Sequence, residues 1–158
     1  MRPSARELIE GVAAALERDV APQLSDRWAA SALRSAVQLL NHLAVRVEVE
    51  ARVLLEDNDD ARRVLESVCA RLGSSPADAA LRAMIETALG APEPPRHDAV
   101  LLDEANEALQ RVIEHVLRRR TLAEDPQGMI HMDLRAYLRR RLERERPLYF
   151  PAFTGAPF

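Results

Sequence analysis

From Ser25 to Glu56 the chain runs SDRWAASALRSAVQLLNHLAVRVEVEARVLLE with no glycine and no proline, and its apolar residues fall at helical spacing throughout. Ala29, Leu33, Ala36, Leu40, Leu43, Val47 and Leu54 recur at steps of three and four, with Glu50 the one charged position in the seam. Such a heptad-like stripe packs against neighbouring helices at a shallow crossing angle. A turn of about 100° per residue puts Val45, Val49 and Val53 on the opposite side, a line that His42, Gln38 and Ser31 continue towards the N-terminus. A helix that is apolar on two sides is buried on both. Either the rest of the chain wraps it, or the valine side meets a second subunit. The valines are β-branched and locally unfavourable in a helix, so packing must favour them there.

The flanking segments repeat the pattern on a smaller scale. Ser4-Ala-Arg-Glu7 has the spacing of a capping box, and Leu8, Ile9, Val12, Leu16 and Val20 follow as one stripe, which predicts a first helix over 4–20. Ala21-Pro22 interrupts it, and Ser25 or Asp26 caps the central helix. The run Glu56-Asp57-Asn58-Asp59-Asp60 reads as a turn followed by an acidic helix start. Counted from Asp57, Arg62 stands where a calcium-binding loop needs its glycine. A third helix then carries Val64, Leu65, Val68 and Leu72 up to Gly73, expected as a left-handed C′ residue.

Ser75-Pro76-Ala77-Asp78 opens a fourth helix, closed at Gly90. Pro92, Pro94 and Pro95 keep the next segment extended. Asp98 to Arg120 is a second long helix, ending in three arginines that suit its C-terminal dipole. A last helix carries Ile130, Leu134, Tyr137, Leu138 and Leu142 until Pro147. The pattern predicts an all-α fold, a helical bundle of five to six helices built around the central helix over 25–56. It forms a single domain over 1–147, followed by an extended aromatic tail over 148–158 packed on the bundle or on a partner.

That tail holds four of the six aromatic residues of the chain, among them Tyr149, Phe150 and Phe153. An exposed disordered segment is rarely so aromatic. A groove on its own bundle or one on a partner subunit is the natural place for it.

Composition narrows the class. At 158 residues the chain is long enough for a real core. A net charge of −3 argues against a general nucleic-acid or anionic-membrane binder. No stretch has the length of a membrane span and no signal-like run opens the chain. The lone Cys69 reads as a structural thiol on an apolar helix face, and nothing asks for an oxidising compartment, so the expected location is cytoplasmic. All 22 basic residues are arginines. Codon bias in a GC-rich genome accounts for this; selection for bidentate anion contacts is the other reading.

The chemistry is mostly negative. None of His42, His97, His115 and His131 has a glutamate three residues before it, so the paired Glu-x-x-His motifs of di-iron bundles are missing. A mononuclear metal site needs His42, His115 and His131 to meet Asp133 from separate helices. Glu114 and His115 are neighbours and diverge on a helix, a poor acid–base pair. No phosphate loop, nucleophile elbow or Cys–His constellation occurs. The arginines of the last helix, Arg135, Arg139, Arg140, Arg141, Arg144 and Arg146, are interleaved with Glu143 and Glu145. They form either a solvated ion-pair face or a site for an acidic surface or a phosphorylated cofactor. No catalytic residue, metal or cofactor is assigned.

The opening Arg2-Pro3-Ser4-Ala5-Arg6-Glu7-Leu8-Ile9-Glu10, continued by Asp19-Val20-Ala21-Pro22-Gln23-Leu24 and the long Ala/Leu/Val helix, resembles a family of small bacterial helical proteins of unknown function. These look like domains that accompany aminoglycoside-phosphotransferase-like kinases and acyl-CoA dehydrogenases. The resemblance covers about the first fifty residues and the basic helix that ends the chain. It implies an accessory role beside a metabolic enzyme and supplies no catalytic residues. Taken together, these readings favour a non-enzymatic interaction module that forms a homodimer or binds a partner enzyme. Its expected interface is His42, Val45, Val49 and Val53 with Tyr149, Phe150 and Phe153. The alternative is a bundle that binds an acyl or phosphorylated ligand, with Met84, Met129, Met132 and the tail aromatics around it; a metal-dependent enzyme is a third class.

Overall fold

The computed structural model describes residues 2–73, 75–119 and 128–149, and among them every regular element is helical. Helix α1 (Ala5–Ala15) leads through a π-helical turn (Leu16–Val20) and a 3-10 turn (Ala21–Gln23) into α2 (Arg27–Arg71). Helices α3 (Pro76–Leu89), α4 (Ala99–Arg119) and α5 (Met129–Tyr149) follow. The all-α expectation holds, with five α-helices among the described residues. The chain divides into two compact units, one of residues up to Glu50 with the chain from Glu145, the other Ala51–Arg144. Helices α2 and α5 contribute residues to both.

The helix starts follow their local signals. Ser4 Oγ accepts from the Glu7 N–H at 3.2 Å, and Glu7 Oε2 accepts from the Ser4 N–H at 2.6 Å, a complete capping box. Asp26 Oδ2 accepts from Ala29 N–H at 2.8 Å at the start of α2. Ser75 Oγ accepts from Asp78 N–H at 3.1 Å at the start of α3, and Asp98 Oδ1 takes the Val100 and Leu101 N–H groups before α4.

Three helix ends depart from expectation. Helix α2 does not stop near Glu56 but continues through the acidic run to Arg71, 45 residues in all. Asp57, Asn58 and Asp60 are buried there, and partners from other helices answer the polar side chains that would otherwise favour a turn. The separate third helix is therefore the second half of α2. Gly73 has no left-handed backbone, the one positive-φ residue among those described being Gly128 at 65°. Its N–H instead donates to Asp78 Oδ2 at 3.0 Å, and a Cβ there would sit 2.8 Å from that oxygen. Helix α5 carries Pro147 inside its last turn and runs on to Tyr149. Having no N–H, Pro147 cannot donate the i→i−4 bond to the Glu143 carbonyl.

The core of the Ala51–Arg144 unit is built from four helical stretches. Ala61, Leu65 and Val68 of α2, Leu81 and Ile85 of α3, Leu109, Ile113 and Val116 of α4, and Ile130, Leu134 and Tyr137 of α5 are buried together. Cys69 packs against this cluster half-buried. Burial of one such aliphatic side chain stabilises by about 1.5–3 kcal/mol. Arginines close helix C-termini within this unit. Arg82 donates to the Leu72 carbonyl at 2.9 Å, and Arg62 to the Leu89 and Ala91 carbonyls at 2.8 and 3.2 Å, where cations favour the dipole.

The N-terminal unit is leaner. Arg6 pairs with Glu48, which sets α1 antiparallel along the first half of α2. Ala13, Val37 and Ala44 are its buried apolar residues.

Candidate functional site

Two features stand out, one in each unit. In the Ala51–Arg144 unit, a polar cluster lies at the end of the apolar core. Asp57 Oδ2 accepts from Asn106 Nδ2 at 2.7 Å, from Tyr137 OH at 3.0 Å and from Gln110 Nε2 at 3.3 Å. Its Oδ1 takes Arg144 Nη2 at 2.7 Å. Asn106 also donates to Asn58 Oδ1 at 2.9 Å, and Asn58 in turn donates to the Leu102 carbonyl at 2.9 Å. One turn on, Asp60 receives Arg140 bidentately, Nε and Nη2 both at 2.9 Å, and Arg144 Nη1 at 2.9 Å. Arg144 also lies over the Tyr137 ring at 6.0 Å.

The electrostatics follow from this packing. Burial alone would raise the Asp60 pKa, but the hydrogen bonds and positive charges of Arg140 and Arg144 outweigh it and hold the carboxyl below its usual value. The Tyr137 phenol is pushed well above its usual pKa, first by burial and then by the charge of Asp57. Burial opposes the charge on Arg144, but the two aspartates prevail and keep it protonated. Donors from α4 and α5 thus meet both buried carboxylates. One donor is left over, the buried Arg144 Nε, which has no hydrogen-bond partner among the described residues.

Beside the cluster, an open cleft of about 550 Å³ is lined by Asp60, Arg63, Val64, Ser67, Arg71, Asp133, Ala136, Arg140 and Arg144. A second cleft between α3 and α4, of about 560 Å³, holds Leu81, Met84, His115 and Arg119. Met84 lines it without Met129 or Met132, and Met132 is 59% exposed.

In the N-terminal unit the feature is an open apolar face. Leu8 and Val12 of α1 and Trp28, Leu39, Leu43 and Val47 of α2 are 47–72% exposed. At about 100° per residue, Leu8 and Val12 lie to one side of the line by which α1 meets α2. Leu39, Leu43 and Val47 lie to the same side on antiparallel α2. Arg46, paired with Glu50, stands at the Trp28 edge of that sector, and no charged residue of α1 falls beside Leu8, Val12 and Leu16. Ala29, Ala32 and Ala36 extend the sector with small side chains.

The expected interface residues are distributed differently. Val53 is buried in the Ala51–Arg144 unit, while His42, Val45 and Val49 are half-buried in the N-terminal unit. The face that stands open is the Leu43 side of the seam, which the pattern placed inside. The Tyr149 side chain, Phe150 and Phe153 lie outside the described residues. His42, His115, His131 and Asp133 make no metal site, since among the described residues no three metal-ligating side chains come together. No described helix is long and apolar enough to cross a membrane.

The polar cluster escaped the sequence reading because its α2 residues lie 44–87 residues from the partners they bond. One signal was present: Asn106 and Gln110 on α4, and Arg140 and Arg144 on α5, each repeat at i, i+4 beside an apolar stripe. Compared with family models, curated proteins and solved structures, the chain has no significant match in any of the three.

Proposed function

We propose that the protein is a non-enzymatic helical interaction module that pairs with a second copy of itself through the open face of its α1–α2 hairpin. The observation that supports this reading is the side-by-side exposure of Leu8 and Val12 with Leu39, Leu43 and Val47. An antiparallel helix pair with one apolar side, here edged by the Arg46–Glu50 ion pair, is half of a four-helix bundle. A twofold axis brings two such sides together and makes the surface its own complement. Contiguous apolar patches of this kind on soluble proteins mark interaction sites.

A partner enzyme offering a similar apolar helix pair is the other occupant, in line with the accessory role that the resemblance to small bacterial helical proteins implies. Native mass spectrometry of the full chain separates the two. The self-pairing reading expects a dimer for the wild type, and a monomer of unchanged helical circular dichroism for Leu43→Glu. A wild-type chain that stays monomeric at micromolar concentration removes self-pairing and leaves the partner enzyme.

A further inference from the structure

We infer that the arginine-lined cleft between α2 and α5 is a binding site for a phosphate group, carried by a small phosphorylated molecule or present as the free anion. The site lies in the Ala51–Arg144 unit and does not depend on how the hairpin face is used. Its lining sets four arginines against two aspartates, in a chain whose net charge is −3.

Both aspartates are already paired with lining residues. Asp60, 3% exposed, is taken by Arg140 and Arg144. Asp133 accepts from the Ser67 hydroxyl at 2.7 Å and pairs with Arg71 at 3.1 Å. Both oxygens of Asp60 are engaged, and Asp133 is held through Oδ2. Three of the four guanidiniums are only half used, Arg144 being engaged through both Nη groups. Arg71 is held through Nε on Ser67 and Nη2 on Asp133, and Arg140 through Nε and Nη2 on Asp60. Arg63 is held through Nε on the Asp59 carbonyl and Nη2 towards Asp60. In all three, Nη1 has no hydrogen bond among the described residues.

Three guanidiniums fixed by one edge and open at the other match an anion with several acceptor oxygens in a tetrahedral array, which is a phosphate rather than a single carboxylate. Because the forks are anchored beforehand, little side-chain entropy is lost on binding. A cleft of about 550 Å³ falls in the range of small-molecule sites and exceeds a bare phosphate. Val64 and Ala136 supply an apolar floor for the remainder of an ester.

The test follows the arginine Nε–H resonances of the full chain by NMR during titration with sodium phosphate, glycerol 3-phosphate, a short polyglutamate peptide, and sodium chloride at matched ionic strength. Saturable shifts of Arg71 and Arg140 with either phosphate compound are expected, and tighter binding of the ester identifies an esterified ligand over the free anion. Arg71→Gln and Arg63→Gln, both at accessible positions, should each weaken this binding by about tenfold or more while the fold is kept. Shifts that chloride reproduces equally overturn the site. Saturation by the peptide alone overturns it in favour of an acidic protein partner. Unchanged affinity in both variants also overturns it.

Discussion

Tyr137 and Asp57, 80 residues apart in the chain, meet at 3.0 Å, the buried phenol donating to a carboxylate oxygen that also takes Asn106 and Gln110. Removing the carboxylate strands donors from two helices, α4 and α5, at once. Asp57→Ala is therefore expected to cost about 3–5 kcal/mol, the range for breaking a buried charge pair. Tyr137→Phe removes one bond from the same oxygen and should cost about 1–3 kcal/mol. Urea unfolding at neutral pH measures both.

The same phenol sets an alkaline limit. Its folded pKa lies above the unfolded value of about 10, so folding favours the protonated form. That contribution is complete below about pH 10 and is lost as pH rises towards the folded pKa. The advantage of wild type over Tyr137→Phe should therefore shrink steadily above about pH 10. Chemical unfolding of both proteins across that range tests it; a constant gap would contradict the assignment.

Asp60 works in the opposite direction. Its folded pKa is depressed, so its contribution is present above the unfolded pKa of about 3.9 and is lost as pH falls through the lower folded value. Asp60→Asn should be markedly less stable at pH 7, because Arg140 and Arg144 lose their shared counter-charge. The gap to wild type should close below about pH 4. Acid titration followed by circular dichroism reads the difference.

Leu43 and Ala44 are neighbours with opposite tolerances. Ala44, 2% exposed, is packed inside the N-terminal unit, and Ala44→Leu should cost about 1–3 kcal/mol through overpacking. Leu43, 47% exposed, can become glutamate with a change within about 0.5 kcal/mol in the dissociated chain. Unfolding at dilutions where only monomer is present separates this from any effect on association.

Much of the architecture was legible because it is local. The Ser4–Glu7 box, Asp26, Ser75 before Pro76, and Asp98 mark helix starts through contacts two or three residues away, and each one is made. The end of the central helix was misread because Asp57, Asn58 and Asp60 are poor helix residues on their own. What keeps them helical comes from Asn106, Tyr137, Arg140 and Arg144, far along the chain. Periodicity also marked two faces on the first half of α2 but not which of them the chain covers. Val45 and Val49 are half-buried while Leu43 and Val47 stand open, a choice made by the tertiary path of the other helices. The cleft of Arg63, Arg71 and Arg140 was visible only as scattered positive charge.

The turn at Leu16–Val20 has a consequence for how relatives of this chain should align. The Ala21 N–H reaches back five residues to the Leu16 carbonyl, one step more than an α-helix uses. The extra residue is absorbed in that single loop of backbone. A chain shorter by one residue here closes as an ordinary α turn, with Ala13 upstream and Leu24 downstream keeping their places. A single-residue gap between Leu16 and Val20 is thus expected to leave the helices on either side in register.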